Sequence, residues 1–141
     1  MFRKLRRTHT PKLHPLLGLF GFLGLLGFMG FFPQGFAATK AVRVPFPLLY
    51  FGFFGFFGFY YSGKLSGTLI DERFEANENR ASAIANRTAL VIILFVSVFT
   101  TSIYLTDVDK LLRILITTIS IAWGLAVFLG QYLLYHFETE E

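Results

Sequence analysis

The sequence predicts an all-α membrane protein: four transmembrane helices forming two antiparallel hairpins, with one cytoplasmic amphipathic helix between them. Three observations lead there. The apolar residues gather into four blocks, and only 16% of the 141 residues are charged, against about 25% in soluble domains. Glycine recurs at every third position in two of the blocks, among Leu and Phe. Lys and Arg are spread unevenly over the connecting segments.

Residues 1–14 form a basic arm with Arg3, Lys4, Arg6, Arg7 and Lys12. The first span, residues 16–32, follows Pro15, which suits a first helical turn because proline lacks only a donor that would be orphaned there. A loop, residues 33–45, carries Lys40 and Arg43. The second span covers residues 46–61. Both spans are short for an α-helix, which needs roughly 17–25 apolar residues to cross. A shallow re-entrant hairpin is the rival reading, and the cations and prolines of the loop favour full crossing. Residues 1–37 also resemble a signal peptide, with Gly35-Phe36-Ala37 as a cleavage site. The apolar stretch exceeds the usual ~7–15 residues, and the second span shares its glycine pattern.

Residues 62–88 are polar and predict a cytoplasmic helix with Ile70, Phe74, Asn77, Ala81, Ile84 and Thr88 on one face. Thr68 and Asp71 suggest a capping-box start. The third span, residues 89–105, and the fourth, residues 111–135, are joined by a short turn, and residues 136–141 form an acidic tail. Nine Lys and Arg then lie on the side of the termini and residues 62–88, and four on the other. The positive-inside rule places both termini in the cytoplasm of a multi-pass cell-membrane protein.

Gly18, Gly21, Gly24, Gly27 and Gly30 in the first span, and Gly52, Gly55 and Gly58 in the second, read as helix-packing positions. On an α-helix a step of three turns about 300°, so the glycines wind obliquely round the axis. A long 3₁₀ helix would align them, but such runs are uncommon. In the other hairpin Thr117, Ser120, Gly124 and Gln131 share a face, and Ser97, Thr100 and Thr101 cluster opposite. Ser97, Thr101, Thr117, Ser120 and Gln131 form an interhelical polar stripe by this reading, with a polar lining for a small ligand as the alternative. Asp71, Glu72, Arg73, Arg80 and Arg87 mark a docking surface for a protein partner or anionic lipid headgroups, the arginines recurring every seven residues.

Several chemistries are excluded. The chain has no cysteine, so thiolate chemistry and disulfides are absent. No Asp, Glu, Lys or Arg lies mid-span, unlike ion-coupled transporters. His9, His14 and His136 lack metal-ligand spacing, and no nucleophile–base set, phosphate loop or nucleic-acid module is present. No catalytic residue, metal or cofactor is expected.

The Leu/Phe-Gly triplets, Asp71-Glu72-Arg73 and the Asn/Ala-rich entry to the third span resemble uncharacterised small Phe/Gly-rich prokaryotic integral membrane proteins. Members of that group are often encoded beside helix-turn-helix regulators. The resemblance implies a membrane component that restrains or informs a cytosolic regulator. Taken together the sequence predicts a non-enzymatic accessory or regulatory membrane protein that binds membrane lipids and another protein or a second copy of itself. A carrier of a small hydrophobic compound and a structural subunit of a larger complex are the alternatives.

Overall fold

The structure, a computed structural model, describes residues 8–31 and 46–140. Arg3, Lys4, Arg6 and Arg7 of the basic arm, the loop with Lys40 and Arg43, and the candidate cleavage site lie outside the described residues.

The elements in chain order are a short strand β1 (Thr8–His9), 3₁₀ helix η1 (Pro15–Phe31), 3₁₀ helix η2 (Phe46–Phe57), α1 (Gly58–Lys64), strand β2 (Leu69–Ile70), α2 (Glu72–Tyr104) and α3 (Val108–Glu140). Two helices, α2 and α3, are long and apolar enough to cross a membrane.

The first hairpin corrects the α-helical expectation. Its helices have three residues per turn over 17 and 12 residues. The physical reason lies in the repeat. A 3₁₀ helix eclipses side chains at i and i+3, which is normally a cost that limits it to a few residues. Here one of the three rows of η1 is glycine throughout from Gly18 to Gly30, where nothing can clash, and the eclipsed Leu, Phe and Met side chains are confined to the other two rows. On η2 ring eclipses ring: Phe51 and Phe54 stack with centroids 6.1 Å apart, and Phe54 and Phe57 at 6.2 Å. The helix turns α at Gly58, where the triplet repeat ends.

The second hairpin is α-helical throughout. Helix α2 runs unbroken through residues 88 and 89, joining the polar segment to the third apolar block. It starts later than a Thr68 cap would allow. Residues 69–70 pair antiparallel with residues 8–9, so the chain is extended there, and Asp71 becomes the N-cap. Its Oδ1 accepts from the Phe74 amide at 2.8 Å, with Glu72 and Glu75 complementing the helix dipole in the first turn.

The buried residues of α2 are Phe74, Asn77, Ala81, Ala85 and Ala89, with Thr100 further along. Ile84, expected inside, is 39% exposed. The small alanines let α2 approach α3 closely, and Ala85 meets Gly130.

The helices form a row rather than a closed bundle. Close backbone approach links η1 to η2, η2 to α3 and α3 to α2. Among the described residues no such approach joins η1 or η2 to α2. At one end of this row β1 and β2, α1 and the polar ends of α2 and α3 come together. A small core of Leu65, Phe74, Ala81 and Leu134 closes it.

Candidate functional site

The first candidate is the contact between η1 and η2. In a helix of three residues per turn, Gly18, Gly21, Gly24, Gly27 and Gly30 fall in one row, and all five are buried. Opposite them stand Tyr60, Phe57, Phe54, Phe51 and Leu48 in antiparallel register. Each step of three forward on η1 is a step of three back on η2, and the register never slips. A Cβ at Gly21 would sit 2.6–2.7 Å from Cγ and both Cδ atoms of Phe57. Near-equal distances to these atoms put the ring face over the glycine. Phe51 lies over Gly27 in the same way, at 2.8–2.9 Å. One rung beyond the repeat the roles reverse, and Gly63 faces Pro15. Flanking rings close the ladder edge-on, Phe22 on Phe57 and Phe28 on Phe51, each at 5.1 Å.

The glycines of η2 and Gly58 at the start of α1 face the other way, towards α3. Gly52 meets Trp123, Gly55 meets Gly124, and Gly58 meets Phe128 and Gln131. The Gly55–Gly124 contact is backbone to backbone: a Cβ on Gly55 would stand 2.7 Å from the Gly124 carbonyl oxygen. All eight glycines named from the sequence are therefore at helix contacts, in two rows on different helix faces.

The polar stripe is distributed differently from its sequence reading. Ser120, Gly124 and Gln131 look towards the first hairpin rather than towards α2. Thr117 and Ser120 donate to the carbonyls of Arg113 and Ile116 on their own helix, at 2.8 Å each. Gln131 accepts from the Ser62 hydroxyl of α1. Ser97 is half-buried and Thr101 exposed on α2, and among the described residues neither hydroxyl bonds α3. Trp123 lays one ring edge on Gly52 and is 53% exposed.

The docking residues lie on or before α2, all exposed. Asp71 is committed to the cap. The Arg80 guanidinium sits over the Phe137 ring, with Cζ 4.6 Å from the centroid, a cation–π contact from α2 to the end of α3. Arg73 and Arg87 make no ion pair among the described residues. Asn77 is buried and donates to Glu138 Oε1 at 2.7 Å, tying α2 to the tail of α3.

Sequence reasoning missed three contacts at the helix ends. Arg113 Nη1 donates to the Gly30 carbonyl at 3.0 Å, satisfying an orphan acceptor in the last turn of η1. Residues 8–13 are stitched to residues 65–70, with Thr10 donating from its amide to Thr68 O and from its hydroxyl to Leu65 O. Lys64 lies over the rings of Tyr60 (4.7 Å) and Tyr135 (5.4 Å). A side-chain hydrogen bond with Tyr60 is the largest influence on Lys64 and raises its pKa, so the ammonium is charged at any physiological pH. The Tyr60–Lys64 spacing of four was a legible signal; Tyr135 gave none.

An open groove of about 440 Å³ is lined by Leu16, Leu19, Phe20, Phe22, Leu23 and Leu26, all from the outward rows of η1. It is the surface relief of one helix, with no polar group to orient a ligand. Among the described residues no group of three His, Cys, Asp or Glu could hold a metal ion. No family model matches the chain, and no characterised protein or solved structure is significantly similar to it.

Proposed function

We propose that the chain is a four-span membrane protein with both termini in the cytoplasm, acting without catalysis as an accessory or regulatory component. Its partner is a protein that docks on the polar half of α2. Helix lengths support the topology. At a rise of ~2.0 Å per residue, the 17 residues of η1 reach about 34 Å. Residues 46–61, part 3₁₀ and part α, reach about 30 Å. Both match a hydrocarbon core of ~30 Å that 17 α-helical residues would underfill. Helices α2 and α3, 33 residues each, reach about 50 Å and so extend roughly 20 Å beyond the core.

The observation that carries the function is this overhang. The polar half of α2 is held rigid by its cap, by Asn77–Glu138 and by the small core, and it presents Arg73 and Arg87 alongside the exposed Glu72, Glu75 and Glu78. A braced helix of mixed charge projecting from a membrane fits a surface of complementary charge pattern on a cytosolic protein, with acidic groups opposite Arg73 and Arg87. The resemblance to proteins encoded beside helix-turn-helix regulators adds a candidate class of partner.

Purification in mild detergent with the double reversal Arg73→Glu and Arg87→Glu tests it. The wild-type chain should retain a stoichiometric protein partner, and the variant should lose it while keeping its helicity. Equal retention by both would overturn the proposal.

A further inference from the structure

We propose that Lys12 and Lys64 together bind the phosphate of an anionic phospholipid headgroup. The inference rests on the membrane topology just given but not on the protein partner. The two lysines are 52 positions apart, and the stitch between the arm and the turn after α1 brings them to one place. Ser66 does the bridging. Its hydroxyl accepts from the Leu13 amide at 3.0 Å and donates to the Pro11 carbonyl at 3.3 Å, gripping the backbone on both sides of Lys12. Ser66 itself stands two residues beyond Lys64, so the grip places Lys12 beside the end of α1. The Thr10 bonds to Leu65 and Thr68 hold the same pairing.

Depth gives the ligand class. Pro15 packs on Gly63, with a would-be Cβ contact of 2.7 Å, and the apolar run of η1 begins at Leu16. Lys64 directly follows Gly63 and Lys12 lies four residues before Leu16, so in this topology both sit just outside the apolar boundary, at the level of headgroup phosphates. Tyr60 and Tyr135 flank the Lys64 ammonium, and Tyr61 and Tyr132 stand ring-on-ring beside them. Tyrosine clusters of this kind belong at a membrane–water interface, where a ring is half buried and its hydroxyl is wet. Phenol hydroxyls also donate to phosphate oxygens.

Charge completes the argument. Lys12 and Lys64 are both exposed, and among the described residues neither pairs with a carboxylate. Of the acids at this end, Asp71 accepts from the Phe74 amide, Glu138 accepts from Asn77 and Glu140 pairs with His136, while Glu72 and Glu75 sit in the first turn of α2. With their backbones tied together by Ser66, two ammonium groups that pair with no carboxylate among the described residues are within reach of one phosphodiester.

The full chain, delipidated in non-ionic detergent, should be titrated with phosphatidylglycerol, phosphatidylcholine or inorganic phosphate and read by native mass spectrometry. We expect a preference for phosphatidylglycerol over phosphatidylcholine that weakens as salt rises. Lys12→Gln or Lys64→Gln should each weaken phosphatidylglycerol binding about fivefold, and Lys→Arg at both positions should retain it. Equal binding of the two lipids, or unchanged phosphatidylglycerol binding in the double Gln variant at wild-type helicity, would overturn the site. So would inorganic phosphate binding as tightly as the lipid. Loss of the protein partner in the Gln variants, with lipid binding intact, would assign these lysines to a protein interface instead. The Arg73 and Arg87 reversal leaves this site untouched, so the two proposals can fail separately.

Discussion

In the first hairpin the helices meet through a row of five glycines on one side and a column of rings and one leucine on the other. In the second, α2 meets α3 through Ala81, Ala85 and Ala89, spaced four apart, beside Gly130 and Leu134. Both devices bring backbones together by placing small residues at the contact. They differ in period, and the period decides the helix. A small residue every fourth position keeps to one stripe of an α-helix. A small residue every third position does so only with three residues per turn. The 3₁₀ geometry thus follows from the packing partner and not from local propensity, which gives glycine-rich segments little helical preference of any sort.

The junction between hairpins offers the largest test of that comparison. Gly55→Ala drives a methyl group against the carbonyl and Cα of Gly124, where only backbone can yield. We expect a loss of about 3 kcal/mol, at the upper end for overpacking, seen as a lower thermal midpoint and separation of the hairpins in detergent. Within the ladder the opposing atoms belong to a ring that can tilt. Gly24→Ala, 2.7 Å from Phe54, should therefore cost less, about 1–2 kcal/mol. Combined with Phe54→Leu the cost should fall, and a double-mutant cycle with no coupling would refute the rung assignment.

Asp71→Ala removes one N-cap and should destabilise by about 1 kcal/mol, read as faster amide exchange in the first turns of α2 alone. The smallest effect belongs to the second hairpin's glycine. At Gly130 the nearest atom is the Ala85 Cβ at 3.8 Å, an ordinary contact. Gly130→Ala should be neutral or stabilising by up to ~1 kcal/mol. A loss as large as that at Gly55 would erase the contrast between the hairpins.

Much of this architecture was legible in the residues, and the failures are instructive. The apolar blocks mark the helices because runs of Leu and Phe suit an apolar surround, where a helix satisfies its own backbone polar groups. The eight glycines announce close contact because nothing else explains their placement. The helix type was misread because long 3₁₀ helices are rare, and rarity was set against a strict three-residue period that an α-helix cannot satisfy. Ile84 was placed inside for its hydrophobicity, yet Ala85 lies there because closeness matters more than apolar bulk at that seam. Thr117 and Ser120 looked like interhelical donors, but a carbonyl four residues back is always within reach of such a hydroxyl. Strands of two residues, β1 and β2, leave no pattern to read.

Three residues per turn gives the ladder a reading frame. Adding one residue to the middle of η1 would rotate everything beyond it by about 120° and present Leu or Phe where glycine belongs. Adding three would restore every face and merely lengthen the rod by one rung, about 6 Å. Length variation in this hairpin is thus quantised in triplets, whereas in the α-helical hairpin no short insertion restores every face, three residues leaving them about 60° off and four about 40°.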